Sequence, residues 1–324
     1  PLGSAGHVAA DAGRNRLYVA DAHDGAIAVF DLAGNRVDAW PGLNPSGVAV
    51  APDGRVFASD ANGDHVRVFD PSGTEGTPFG GTGDGPAQLD GPAGLDVAPD
   101  GRIFVTDRGN ARVVIFRSDG KAAGTIRLAG TPVIGEPLDV AVAADEVWVA
   151  TGAELARLNI DTGRVTGRFE TTPAVAVAAA TGVGVWAAVA TAGGGATGGG
   201  AQAGVWAYRD RQASGEPTSR WASPDLAVGL FDGLETLSFG ADGKAYLVDV
   251  PPRVQRLSAA GIAEAQMTGY DVVDADGDAA GIVFAADGAA VVSFAADGSE
   301  RWRTKLPSPA GGAHHVDAGN WGAA

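Results

Sequence analysis

The side chains of this chain that can do acid–base or ligand chemistry gather in short clusters between apolar runs. They are His23 with Asp24, Asn62 to His65, Arg108 to Asn110, Glu154, Asp232 to Glu235, and Tyr270 with Asp271. Carboxylate, imidazole and guanidinium drawn from separate clusters are the mixture a concave ligand site uses to orient what it binds. Taken singly, each is also an ordinary polar turn residue. Sharper chemistry is scarce. No Gly-x-Ser-x-Gly elbow and no His-Glu-x-x-His pair occurs. Asp274-Ala-Asp-Gly-Asp278 imitates the opening of a calcium loop, yet Ala285 stands where the closing bidentate carboxylate belongs. The stretch reads instead as a hairpin tip. Five histidines and no cysteine are present, which excludes disulfides, thiolate metal sites and a cysteine nucleophile.

What must position these clusters is a repeated phrase: an apolar strand, a Pro-Asp-Gly or Ala-Asp-Gly turn, and a second apolar strand ending in Asp. The clearest copies run from Pro45 to Asp60 and from Pro92 to Asp107. A pair of short strands cannot bury both faces alone, so the unit must stack on copies of itself. Inner-strand phrases begin near His7, Gly47, Gly94, Asp139, Ala174, Gly233 and Gly269. Their spacing of roughly 35 to 60 residues brackets that of four-stranded propeller blades. The expected fold is therefore an all-β propeller, seven blades by this count with six as the alternative. In the third unit the strands are predicted near Leu95–Ala98, Ile103–Thr106, Val113–Phe116 and Thr125–Leu128. Asp-Gly pairs supply the positive φ of the short turns. Phe30, Phe69 and Phe116 recur at one place in the third strand, and Asp21, Asp60, Asp107 and Asp249 close the second strand as acceptors in an Asx-turn.

Composition limits the partners. The chain of 324 residues has a net charge of −16, and its 23 Lys and Arg are scattered, so a nucleic-acid role is not expected. No apolar stretch approaches the roughly 20 residues that cross a bilayer. Pro1-Leu-Gly-Ser4 reads as the remnant of a cleaved purification tag, leaving residues 5–324 as one propeller domain. The glycine tract from Thr191 to Ala201 has no following Lys-Ser/Thr, so it reads as a flexible insertion rather than a phosphate cradle. Gly312 to Gly319 echoes Ala5 to Gly13, which suggests that the tail seals the ring as a strand or lies across one end.

Phe79 to Phe116 resembles an NHL repeat. It opens Phe79-Gly-Gly-Thr-Gly-Asp-Gly-Pro-Ala-Gln-Leu-Asp90, passes through the Pro92 to Asp107 phrase, and closes with a D-x-x-N-x-R turn at Asp107, Asn110 and Arg112 before Phe116. The second unit is similar but carries Gly63 and His65 in place of Asn and Arg, and the fourth has Thr151 for the turn Asp. The resemblance implies a propeller, usually six-bladed, that serves as a rigid platform for proteins, glycans or other ligands. It also implies enzymatic relatives. Gluconolactonase-like hydrolases hold a divalent cation at the axis with Glu, Asn and Asp, and Asp139, Glu235 and Asp271 are the matching oxygen ligands here, without the asparagine. Peptide-amidating lyases use several axial histidines, whereas only His7 falls in a clear inner-strand phrase, with His314 and His315 as possible neighbours.

The sequence thus leads to a non-catalytic recognition module whose ligand face carries His23, Asp24, His65, Arg108, Asn110, Asp232, Glu235 and Tyr270. Its expected partner is a protein, glycan or small molecule, with no nucleic acid, no transmembrane segment and a monomeric state. The expected setting is exported, periplasmic or cell-surface. No cofactor is assigned. The alternative is a metal-dependent hydrolase or lyase with a cation such as calcium at the axis.

Overall fold

The computed structural model describes residues 5–22, 24–127, 136–143, 145–151, 153–169, 174–180, 184–189, 204–208, 219–222, 234–239, 244–249, 253–258, 263–268, 272–277, 282–287 and 290–305. Each repeat folds as an antiparallel meander, and the described residues form seven four-stranded sheets. The third, which carries the motif, comprises Pro92–Val97, Ile103–Asp107, Arg112–Phe116 and Ala122–Arg127. These lie within three residues of the predicted strands. Its hairpins turn through Gly101 and Gly120 at φ 85° and 78°, the conformation for which Asp-Gly was selected.

The innermost strands of the sheets are Ala5–Asp11, Pro45–Val50, Pro92–Val97, Asp139–Ala143, Ala174–Ala180, Leu234–Phe239 and Val272–Gly277. Each packs beside the next in chain order, and Val272–Gly277 returns to Ala5–Asp11. That is a propeller ring, with each sheet a blade. It closes by packing of the last blade on the first, each built from a continuous stretch of chain. The expected tail phrase, 312–319, and the glycine tract lie outside the described residues. One expectation is corrected: Asp274 to Gly277 is no hairpin tip but the end of the seventh inner strand, Val272–Gly277. The seventh inner strand starts three residues later than the sequence pattern suggests, so the acidic stretch falls within it, with Ala275 buried.

The core is a belt of aromatics. Tyr18, Phe57, Phe104, Trp148, Trp186, Tyr246 and Phe284 stand near the start of the second strand in successive blades, none more than 1 % exposed. Fully burying such a ring stabilises by about 1.5–3 kcal/mol. Outer-strand residues complete the seams. Trp40 of the first blade lies between Tyr18 (5.4 Å) and Phe69 of the second (4.7 Å), and Phe169 of the fourth between Trp148 (5.4 Å) and Tyr208 of the fifth (4.4 Å). Phe30, Phe69 and Phe116 end their third strands and are buried, as the pattern required. Rings can fill this radius because neighbouring blades diverge away from the axis.

Candidate functional site

The upper face, where inner strands begin, is built around one buried ion pair. Asp107 ends the second strand of the third blade. Its Oδ1 accepts the Asp90 N–H at 2.7 Å, its Oδ2 accepts Arg112 Nε at 2.6 Å, and Asn110 Nδ2 donates to both oxygens at 3.2 and 3.0 Å. Arg112 then donates through Nη1 to the carbonyl of Asp84 (2.7 Å) and through Nη2 to those of Gly85 (3.0 Å) and Gln88 (2.7 Å). A buried charge pair is tolerable when its remaining donors find acceptors, as these do. The turn that brings Arg112 back to Asp107 puts Ala111 at φ 49°, a strained value for a residue with a Cβ.

The beneficiary is the connector 81–91 from the second blade to the third. Leu89 is buried as its anchor, Gln88 Nε2 donates to the Thr82 carbonyl at 2.9 Å, and Asp64 accepts Thr82 Oγ1 (2.7 Å) and the Gly91 N–H (2.9 Å). With its backbone held from beneath, the loop exposes Thr82, Asp84, Pro86, Gln88 and Asp90. The first, second and fourth blades use weaker versions. Asp60 accepts N–H groups of Asn44 (3.0 Å) and Gly63 (3.3 Å), Asp21 accepts that of Asp24 (3.0 Å), and in the fourth blade buried Glu154 pairs with Arg168. Asp21 and Asp60 are thus acceptors of turn N–H groups, as expected, Asp107 accepts the turn's Asn110 amide instead, and the side chain of Asp249 lies outside the description. Asp60 and Asp107 also tie in the incoming connector, which local turn chemistry does not foretell.

The residues expected on the ligand face divide. Asn110 is engaged in the clamp, donating also to the Gly83 carbonyl at 2.9 Å. Arg108 is exposed at the surface, 3.4 Å from Glu136. His65 opens the third strand of the second blade, half-buried against Gly63 and Gly80. Half-buried Asp24 has its Oδ1 shielded from solvent with no hydrogen-bond partner among the described residues. Glu235 lies in the sixth inner strand, Leu234–Phe239, where its side chain is outside the description. His23, Asp232, Tyr270 and Asp271 fall outside the described residues.

Around the axis the carboxylates do something the sequence did not reveal. Inner strands are sheet edges, so their outward N–H groups need acceptors. Asp139, expected as a metal ligand, accepts the N–H of Val140 (2.8 Å) and, from the fifth blade, Val177 (3.0 Å). Asp96 accepts those of Val97 (2.7 Å) and, from the fourth blade, Val142 (2.8 Å). Asp276 of the seventh blade accepts that of Ala10 in the first at 3.1 Å. Each carboxylate stitches its blade to the following one. Burial, with the Asp139 charge adding to it, pushes the Asp96 carboxyl up to about 6. Among the described residues, no group of three or more His, Asp or Glu is arranged to hold a metal ion.

With this geometry in hand, likeness to known proteins is informative. The NHL repeat matches residues 89–116, from the anchor of the clamped loop to the end of the third strand. No curated protein matches the chain in sequence. Among solved structures, a streptogramin B lyase superposes with a TM-score of 0.70 at 11 % identity, over 90 % of this chain and 93 % of that one. Hydrazine synthase from Kuenenia stuttgartiensis superposes at 0.68 with 13 % identity, over 95 % and 97 %. At such identities the likeness speaks for the fold: this chain is a β-propeller that carries an NHL repeat.

Proposed function

We propose that this protein is a non-catalytic recognition module whose upper, loop-rich face receives a protein, glycan or small-molecule ligand. The observation that carries the reading is the clamp of Asp107, Asn110 and Arg112, which fixes connector 81–91 while leaving Thr82, Asp84, Pro86, Gln88 and Asp90 open to solvent. A binding loop held in one conformation before contact avoids the ordering cost of association. The exposed acids of the loop, on a chain of net charge −16, favour a partner bearing positive or hydroxyl groups. Nucleic acid is excluded from the proposal on the same ground. A monomer acting outside the cytoplasm, in the periplasm or at the cell surface, completes it.

The competing reading is a metal-dependent hydrolase or lyase at the axial pocket, since a streptogramin B lyase shares the fold. Against it, Asp139 has both oxygens engaged by backbone N–H groups, which leaves it a poor cation ligand. Two measurements separate the readings. Glycan and peptide arrays probed with the wild type and with Asp84→Lys/Asp90→Lys should give binding that the double variant loses. One equivalent of tightly held calcium or zinc, with a melting temperature lowered by chelator, would transfer the assignment to the enzyme.

A further inference from the structure

Connector 81–91 hangs at both ends from one residue. The Asp64 carbonyl accepts the Gly81 N–H at 2.7 Å, its Oδ1 accepts the Gly91 N–H at 2.9 Å, and its Oδ2 accepts Thr82 Oγ1 at 2.7 Å. Asp64 makes these three contacts from a left-handed backbone, φ 53°, just before the third strand His65–Phe69 of the second blade. A residue with a Cβ seldom holds that conformation. Its place is therefore set by the turn that delivers it, Ala61-Asn-Gly-Asp64.

Within that turn the two middle residues answer to different demands. A Cβ on Gly63 would stand 3.1 Å from both Asp60 Oδ2 and His65 Nδ1, closer than a methyl group normally sits, so the packing favours glycine. Asn62 is exposed, and its amide makes no hydrogen bond among the described residues. The corresponding places in the first and third blades, two residues past the Asp that closes the second strand, hold His23 and Gly109. The fold thus requires no amide there. Of the chain's asparagines only Asn62 is followed by glycine. Asn110 is the contrast, because Ala111 follows it and its Nδ2 is held by Asp107 and the Gly83 carbonyl.

We propose that Asn62 is a site of spontaneous covalent modification, and that its conversion to isoaspartate releases connector 81–91. The Gly63 nitrogen loses its proton to base and attacks Asn62 Cγ. The Cγ–Nδ2 bond breaks, ammonia leaves after taking up a proton, and a succinimide ring remains. Water then opens the ring at one carbonyl or the other, giving aspartate or isoaspartate, so water is the one reagent consumed. Two features favour the step here. Residue 63 has no side chain to shield the attacking nitrogen. Its N–H is held only at 3.3 Å, by an Asp60 oxygen that also accepts the Asn44 N–H at 3.0 Å. Isoaspartate carries the chain through Cβ and Cγ, which adds a methylene to the backbone two residues before Asp64. Asp64 then no longer meets Gly81, Thr82 and Gly91 together. This chemistry stands whether or not the upper face binds a ligand.

The test is ageing of the full chain at mildly alkaline pH, followed by peptide mass mapping and amide hydrogen exchange. The peptide carrying Asn62 should gain the mass of an amide-to-acid exchange, about 1 Da, before those carrying Asn35 and Asn110 do. In the aged, still folded protein the Gly81 and Gly91 amides should exchange faster than in fresh protein, in proportion to the isoaspartate formed. Asn62→Ser abolishes the reaction and should keep both amides slow through the same ageing. Freshly made Asn62→Asp adds the charge without the methylene and should keep them slow as well. Because Asn62 is exposed, neither variant disturbs the core. An Asn62 amide that outlasts those of Asn35 and Asn110 overturns the proposal. So does an isoaspartate form whose Gly81 and Gly91 exchange as in fresh protein, or release of both amides in Asn62→Asp.

Discussion

Asp107 Oδ2 and Arg112 Nε lie 2.6 Å apart with neither side chain more than 1 % exposed. Between them they organise a turn, an inner strand's entry and an exposed connector. The NHL motif is therefore a structural device first: it makes a loop rigid that would otherwise run free over the surface. Recognition is a consequence of that rigidity.

Removing Arg112 tests this coupling. Arg112→Ala leaves the Asp107 carboxylate buried without its cation and frees three carbonyls of the connector, so a loss of about 3–5 kcal/mol is expected. Arg112→Lys should recover only part of it, because a single ammonium cannot reach the carbonyls of Asp84, Gly85 and Gln88 together with Asp107. Urea unfolding of both variants measures the difference.

Asp96 gives the stability curve a distinctive slope. Its folded pKa of about 6 lies above the ordinary 3.8, so between these values the folded state holds more protons than the unfolded one. Stability contributed by this group is then greatest in acid and falls as pH rises through that window, by an amount on the order of 3 kcal/mol. Asp96→Asn should flatten the slope between pH 4 and 6. Melting curves across that range in wild type and variant decide it, and an unchanged slope would mean that another group is responsible.

Closure of the ring can be probed at a single glycine. Gly34 in the first blade has φ 91° and sits against the Trp302 ring of the seventh, where a Cβ would overlap it, while Thr304 Oγ1 donates to the Gly34 carbonyl at 2.6 Å. Gly42 has the same φ, 91°, with nothing within 4 Å of its missing Cβ. Ala at either position incurs the backbone strain, about 1 kcal/mol; only at Gly34 does overpacking add about 1–3 kcal/mol more. Hydrogen exchange should show the excess as faster opening in the first and seventh blades alone.

The fold was legible because its signals are local. Asp-Gly turns at Gly54, Gly101 and Gly120 and the apolar runs between them mark the second and third blades without any long-range knowledge, and the others follow by period. The role of the second-strand Asp was legible for the same reason. Three things were not. The aromatic belt hides in the sequence because Tyr, Phe and Trp alternate at one register that only pairing reveals. Asp139 reads as a ligand because a carboxylate at an axis suggests a cation; that it also accepts N–H groups of its own and the neighbouring inner strand is not legible, because the contact crosses between blades. The buried pairing of Arg157 with Glu146 in the fourth blade is invisible until Trp148 and Arg157 are seen to face each other across adjacent strands.

The most direct test of a preorganised recognition face is amide hydrogen exchange of connector 81–91. With its backbone held by Asp107, Arg112 and Asp64, the N–H groups of Gly81, Leu89, Asp90 and Gly91 should exchange as slowly as those of the adjoining strands, and Arg112→Ala should release Asp90 most. Exchange of these amides at the rate of an open chain in the wild type would contradict the account.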